Sequence, residues 1–238
     1  MKTQSKGNLR IDGVGSHEGG VFDRIEFNGV GTLKGGVQAD EISVNGVGTF
    51  NGDVATGHLG VDGMCTFNSQ VQADTLDING TAKINGGLGV GTLNVNGNLK
   101  INGGMKGDTM TNNGRLVVTE DCELEAFRSD GLINVSGSLN AETVELNIAL
   151  KCQVREIGGS QITVRQIGTA SFLESFFPTF LQADTIEGDI IQLEATKAKK
   201  VSGHEIIIGE NCDIDVVEYT GTYQQSPSAR VREARNLA

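Results

Sequence analysis

The chain has 238 residues and a formal net charge of −11, with 34 Gly, 2 Pro and no Trp. An acidic balance of that size repels phosphate backbones, which sets nucleic acid aside as a partner and disfavours bare anionic lipid for the body as a whole. No run of about 18 apolar residues occurs, and the opening MKTQSKGNLR lacks the apolar stretch of a secretory signal, so the expected location is the cytoplasm.

In chain order, residues 1–7 read as a polar leader. Residues 8–29 read as a first copy of the repeat that follows, with Leu9 and Ile11 at its second and fourth positions and a loop inserted around Ser16–Gly20. From 29 to 148 a 17-residue unit recurs, with glycine at 29, 46, 63, 80, 97, 114 and 131, each preceded by Asn or Asp. Counted from that glycine, three positions are apolar in every copy. The fourth runs Leu33, Phe50, Phe67, Ile84, Ile101, Val118, Val135; the eighth begins Val37, Val54, Val71; the thirteenth begins Ile42, Leu59, Leu76. A fixed short period of this kind predicts stacked identical units.

Within each unit apolar residues pair at i and i+2, as in Ile42/Val44 and Leu76/Ile78, which is the alternation of a strand. Three short strands are separated by Asn-Gly or Asp-Gly, by a second Gly-rich point such as Gly35 or Gly52, and by steps such as Ala39-Asp40. Gly and Asn tolerate positive φ at such corners. The predicted fold is an all-β, right-handed, three-sided parallel β-helix; the left-handed hexapeptide coil needs 18 residues per turn, and 17 is off that register. Each buried aliphatic side chain contributes about 1.5 to 3 kcal/mol, so rungs hold together only in company.

From 149 to 221 the pattern loosens into irregular rungs, so the β-helix is expected to span 8–221. They are interrupted by a Phe-rich insertion carrying Phe172, Phe176, Phe177 and Phe180. Exposed apolar density of that order suggests a covered core or cap, a partner contact, or a peripheral membrane contact. Residues 222–238 carry a Ser-Pro and three Arg against one Glu and are expected to be a disordered tail.

The four cysteines, at 65, 122, 152 and 212, form no C-x-x-C pair and read as reduced packing residues. His17, His58 and His204 suggest no shared site, and Gly29-Val30-Gly31 lacks the Gly-Lys-Ser/Thr of a phosphate loop. The acidic residues at the eleventh position, Asp40, Asp74, Asp108, Glu125 and Glu142, read as a solvated corner and not a calcium ladder, because Gly57 and Gly91 interrupt them. No catalytic residue, metal or cofactor is expected. A partial rank of Thr75, Thr92, Thr109 and Thr143 leaves a ligand-, polysaccharide- or ice-binding surface, or an enzyme on a β-helix, as the competing class.

The unit Gly36-Val37-Gln38-Ala39-Asp40-Glu41-Ile42-Ser43-Val44-Asn45-Gly46, echoed at Val71–Gly80, Leu139–Asn147 and Leu181–Gly188, resembles the repeat of the bactofilins. The resemblance implies a bacterial cytoskeletal protein that polymerises end to end into non-polar filaments without nucleotide and scaffolds cell shape, polar organelles or motility. It also implies that a second bactofilin could co-assemble and that filaments or foci could associate with the membrane. A β-helix ends in a rung whose backbone groups and apolar interior face outward, so the ends are the expected polymer interface. Candidates there are Leu9 and Ile11 at one end and Ile214, Val216 and Tyr219 at the other; Phe172, Phe176, Phe177 and Phe180 are the partner or membrane candidates.

Overall fold

The computed structural model describes residues 7–167 and 179–238. These residues form strands and turns with no helix, and the strand pairs are parallel, giving the β-helix that the repeat predicts. The chain divides into two compact units, Met1–Asp108 and Thr109–Ala238.

The first unit opens with β1 (Asn8–Ile11), β2 (Val14–His17) and β3 (Gly20–Phe27), followed by β4 (Val30–Leu33) and β5 (Val37–Val44). The alternation of a four-residue and an eight-residue strand continues through β6 (Val47–Phe50), β7 (Val54–Val61), β8 (Met64–Phe67), β9 (Val71–Ile78), β10 (Thr81–Ile84), β11 (Leu88–Val95) and β12 (Asn98–Ile101). Equivalent positions pair between coils, as in Phe50↔Phe67 and Leu59↔Leu76. Pairing in the long strands skips Asp40, Gly57 and Asp74, where the chain bends, so each coil has three sides.

The core is built by columns of complementary size. Phe27, Phe50 and Phe67 are fully buried and stack with ring centroids 5.5 and 5.0 Å apart. The inward column beside them is small where the rings lie, Gly31, Gly48 and Cys65. It grows to Ala82 and Leu99 where the aromatic column gives way to Ile84 and Ile101. A Cβ on Gly31 would sit 2.7 Å from the Phe27 ring. Small residues stand where the rings need room, as a close-packed interior requires.

The repeat glycine has a different cause from the expected one. Among the described glycines only Gly19 and Gly20 have positive φ, so the corner glycines need no left-handed backbone. A Cβ on Gly46, Gly63, Gly80 or Gly97 would lie 2.0 to 2.1 Å from the carbonyl oxygen of the equivalent glycine one coil earlier. The stacked backbone itself occupies the space of a side chain. Beside this column the Asn side chains form hydrogen-bonded ladders. Asn45 Nδ2 donates to Asn28 Oδ1, and Asn28 Nδ2 to Asp12 Oδ1, each at 2.8 Å. Asn79 donates to Asp62 at 2.8 Å. A carboxylate only accepts, so Asp62 starts a new ladder instead of extending the one below. At another corner Asn102, Asn85, Asn68 and Asn51 form a run of three such bonds, each 2.8 Å.

The first coil carries no inserted loop. Leu9 pairs with Ile25 and Ile11 with Phe27, which puts them at the thirteenth and fifteenth positions, while Val14–His17 pairs with Val30–Leu33. The coil is one residue short at the corner Glu18-Gly19. Positive φ at Gly19 and Gly20, with His17 Nδ1 accepting from Gly19 N at 3.3 Å, absorbs the difference. The polar leader, apart from Gly7, lies outside the described residues.

β13 (Met105–Asn112) runs across the division at 108/109. The second unit continues with β14 (Arg115–Val118), β15 (Cys122–Ser129), β16 (Leu132–Ile148), β17 (Cys152–Gln166), β18 (Leu181–Leu193), β19 (Thr196–Ile208), β20 (Asp213–Gln225) and β21 (Arg230–Asn236). The separate short strand disappears, and β18 and β19 pair in a register 15 residues apart, Leu181↔Thr196. Left-handed corners are taken by Ala195 (φ 43°) and Asn211 (φ 60°) in place of glycine. Residues 230–236, expected as part of a disordered tail, form a paired strand: Ile214↔Val231, Val217↔Ala234 and Tyr219↔Asn236. Two of their three arginines are partners of the preceding coil, Arg232 with Asp213 and Asp215, Arg235 with Glu218.

Candidate assembly interface

At the first unit's outer edge, β1 and β2 are each paired on one side only among the described residues. Leu9 and Ile11 are half-buried there, and Val14 is 89% exposed. The charges on this edge are matched locally. Arg10 Nε donates to Asp12 Oδ1 at 2.8 Å and Arg10 lies 3.6 Å from Glu26, while Lys34 bonds Glu18 at 2.7 Å. Hydrogen bonds from Asn28 and Arg10 hold the Asp12 carboxyl below its usual range.

At the second unit's outer edge the candidates Ile214, Val216 and Tyr219 lie one coil inside the last described strand. Ile214 is fully buried, and β21 lies over Ile214, Val216 and Tyr219 in register. The outermost described strand is β21, with Val231 half-buried and Ala234 exposed at the inward-pointing register positions. The signal that could have revealed this strand is charge matching: Arg232 and Arg235 follow Asp215 and Glu218 by 17 residues, the repeat length. Glu218 takes hydrogen bonds from Lys200 and Arg235, which hold its carboxyl below the ordinary value.

Of the Phe candidates, Phe172, Phe176 and Phe177 lie outside the described residues. Phe180 is half-buried, its ring 4.2 Å from Lys197 Nζ and 5.5 Å from Lys151 Nζ.

The remaining chemical groups stay apart. His17 packs edge-on against Phe22, His58 Nδ1 lies 3.8 Å from Asp77, and His204 Nδ1 lies 3.0 Å from Thr220 Oγ1. The five acidic corner residues are exposed. Among the described residues no three His, Cys, Asp or Glu side chains converge as metal ligands would. All four cysteines are free and buried. Desolvation pushes the Cys122 thiol up to about 12 and that of Cys212 to about 11, which suits packing and not nucleophilic chemistry.

Two features escaped the sequence reading. The fifteenth position is apolar at Val44, Val61, Ile78 and Val95, but it is polar at Asn112 and Ser129. Both are buried, with Asn112 Nδ2 donating to Ser129 Oγ at 2.8 Å and Asn112 Oδ1 left without a partner. The second feature is an open trough of about 870 Å³ on the second unit, floored by Gly159, Gly188 and Gly203 and walled by residues including Glu187, Asp189 and His204. Its floor follows from stacking, because a Cβ on Gly188 would meet Gly159 O at 2.3 Å and one on Gly203 would meet Gly188 O at 2.4 Å.

No family model matches the chain, and no solved structure matches it. Similar stretches occur in two proteins of Bacillus subtilis (strain 168). Uncharacterized protein YhbE is 42% identical over 106 residues, which cover 43% of this chain and 44% of YhbE. Uncharacterized protein YhbF is 39% identical over 102 residues, covering 42% of each. The matched stretch thus spans less than half the length of either curated relative.

Proposed function

We propose that this chain is a structural polymer subunit of bactofilin type, a scaffold that assembles end to end into non-polar filaments without nucleotide in the cytoplasm. The observation that carries the reading is the pair of strand edges, β1/β2 and β21, left unpaired among the described residues beside inward apolar side chains. Such edges template further strand pairing. Like ends meeting gives two different two-fold junctions, and open growth needs both, since one closed isologous contact alone yields a dimer. The repeat's likeness to bactofilins supports the same reading, as does a coil interior filled by packing residues.

Negative-stain electron microscopy of the purified protein without nucleotide tests it. Long filaments from the wild type, and short or paired particles from Ile11→Lys and from Val231→Lys, are expected. A wild type that remains monomeric under all assembly conditions would refute the proposal.

The trough of the second unit favours one alternative, a β-helix module that binds an extended polar ligand along its axis. Retention of the monomeric protein on an immobilised polysaccharide, lost on Asp189→Ala/Glu187→Ala, would support that reading instead.

A further inference from the structure

Seven Asn-Gly pairs fall in the first unit, with the asparagine at 28, 45, 51, 79, 85, 96 and 102. In such a pair the glycine carries no side chain to shield its backbone N–H from the neighbouring carboxamide carbon. The stacked coils restrain the seven unequally. At one corner both reacting groups are held. The N–H groups of Gly29, Gly46, Gly80 and Gly97 donate to Ile11, Phe27, Val61 and Ile78 O at 2.9 to 3.0 Å, and Asn28, Asn45, Asn79 and Asn96 donate through Nδ2 to the coil before. At the other corner Gly52 N, Gly86 N and Gly103 N have no hydrogen-bond partner among the described residues. Asn85 and Asn102 still donate through Nδ2 there, to Asn68 and Asn85 at 2.8 Å. Asn51 is the base of that ladder: its Oδ1 accepts from Asn68 at 2.8 Å, while its Nδ2 has no acceptor among the described residues. Exposure does not single it out, since Asn45, Asn79 and Asn96 are exposed as well. Its unrestrained carboxamide and glycine N–H do.

We infer that Asn51 is a site of spontaneous covalent modification, deamidation through a cyclic imide. Gly52 N gives up its proton and attacks Asn51 Cγ with its electron pair. The Cγ–Nδ2 bond breaks, and Nδ2 leaves as ammonia with that proton. Water then opens the ring at either carbonyl, giving aspartate or isoaspartate and one more negative charge. The reaction needs only water, not a polymer or a partner. The aspartate product keeps what the structure asks of this position. Asn51 only accepts in its ladder, and the bases of the ladders at the other corner are already carboxylates, Asp12 and Asp62. A carboxylate accepting from Asn68 makes the stronger bond of the two. Opening at the other carbonyl puts an extra methylene into the main chain. That disturbs the bonds from Asn51 N to Leu33 O and from Val37 N to Asp53 O, each 2.8 Å.

Ageing the folded full chain in mildly alkaline buffer, beside a sample held unfolded in urea, tests the assignment, with the mass gain located residue by residue by tandem mass spectrometry. In the folded chain Asn51 is expected to react about tenfold faster than Asn85 and Asn102 and about a hundredfold faster than Asn28, Asn45, Asn79 and Asn96, because each hydrogen bond that must break before the ring closes is worth about a factor of ten. In urea the seven rates should converge, since all seven share the same following residue. Asn51→Gln should remove the fast phase and leave the slow ones, and Asn51→Asp should melt at or above the wild-type temperature. Reaction at Asn51 no faster than at the other six would overturn the inference, as would a fast phase that survives Asn51→Gln. The same preference in urea would place its cause in the local sequence and not in the ladder. A melt of Asn51→Asp well below the wild type would show that the ladder does not accept the product.

Discussion

Replacing Gly63 by alanine is the sharpest test of why the repeat carries its glycine. The new Cβ would lie 2.0 Å from Gly46 O, whereas ordinary carbon–oxygen contact begins above about 3 Å. Either the two coils separate locally by about 1 Å or the corner rotates. Three backbone hydrogen bonds hold it in place: Gly63 N to Val44 O at 3.0 Å, Met64 N to Gly46 O at 2.9 Å and Thr81 N to Gly63 O at 2.9 Å. Weakening two of them costs about 2 kcal/mol, and overpacking adds about 1 to 3 kcal/mol. The sum, about 3 to 5 kcal/mol, corresponds to a fall of about 10 °C in melting temperature for a chain of this size. Gly87→Ala is the control, since its Cβ would meet nothing closer than Gly104 O at 3.7 Å and its φ is not left-handed. It should leave stability within about 0.5 kcal/mol or raise it slightly by stiffening the unfolded chain. Thermal melts followed by circular dichroism decide the matter. If Gly63→Ala melts together with Gly87→Ala, the stacked carbonyl is not what excludes a side chain.

The four cysteines should resist Ellman's reagent at pH 8 in the folded protein and all react after denaturation, because burial raises every one of their thiols. Asp121 accepts from Ser138 N at 2.7 Å and from Ser138 Oγ at 3.0 Å, and its carboxyl is lowered chiefly by that backbone bond. A group lowered in the folded state adds stability above its unfolded value and loses it as pH falls through the folded one, so melting temperature should drop below about pH 4. Asp121→Asn, which keeps an acceptor and cannot titrate, should flatten part of that drop. Asn112→Ala should cost about 1 to 3 kcal/mol in urea melts by stripping Ser129 of its buried partner. Asn112→Val/Ser129→Val together should cost less than the single change, because no buried side-chain polar atom is then left unpaired and Gly131 N keeps its bond to Asn112 O at 3.1 Å.

The coil was legible because its information is redundant. Each inward column is written many times over, so Leu59, Leu76 and Leu93 identify a buried position that no single copy would. Legibility fails where copies stop agreeing. The first coil lost one corner residue, and a reading tied to spacing placed Leu9 against the wrong column. The last strand offers only Val231 and Ala234 as inward residues, too few to register as alternation, and Arg232 and Arg235 read as solvated until Asp213, Asp215 and Glu218 are found beside them. The end candidates moved for that reason: Ile214 lies under a strand whose main signal is charge. The corner glycines were recognised for the wrong cause, since a Gly forced by positive φ and a Gly forced by a neighbouring backbone look alike in one dimension.

The two outer edges are built from different chemistry, and a polymer that used both would inherit the difference. The β1/β2 edge presents Leu9, Ile11 and the 89% exposed Val14, with its ions satisfied within the edge. The β21 edge is almost wholly exposed and held to the preceding coil by Arg232 and Arg235 on carboxylates. Apolar contact strengthens in kosmotropic salt, whereas exposed ion pairs weaken as the screening length falls from about 10 Å at 0.1 M to about 3 Å at 1 M. In a filament with alternating junctions, sodium sulfate at high concentration should therefore loosen β21 from the carboxylates that hold it, weaken the junction made through that strand, and leave pairs joined through β1/β2. Analytical ultracentrifugation distinguishes the outcomes: a dimer boundary at high salt fits two chemically distinct junctions. Dissolution straight to monomer, or filaments indifferent to salt, would mean that the junctions share one chemistry and that the ends meet some other way.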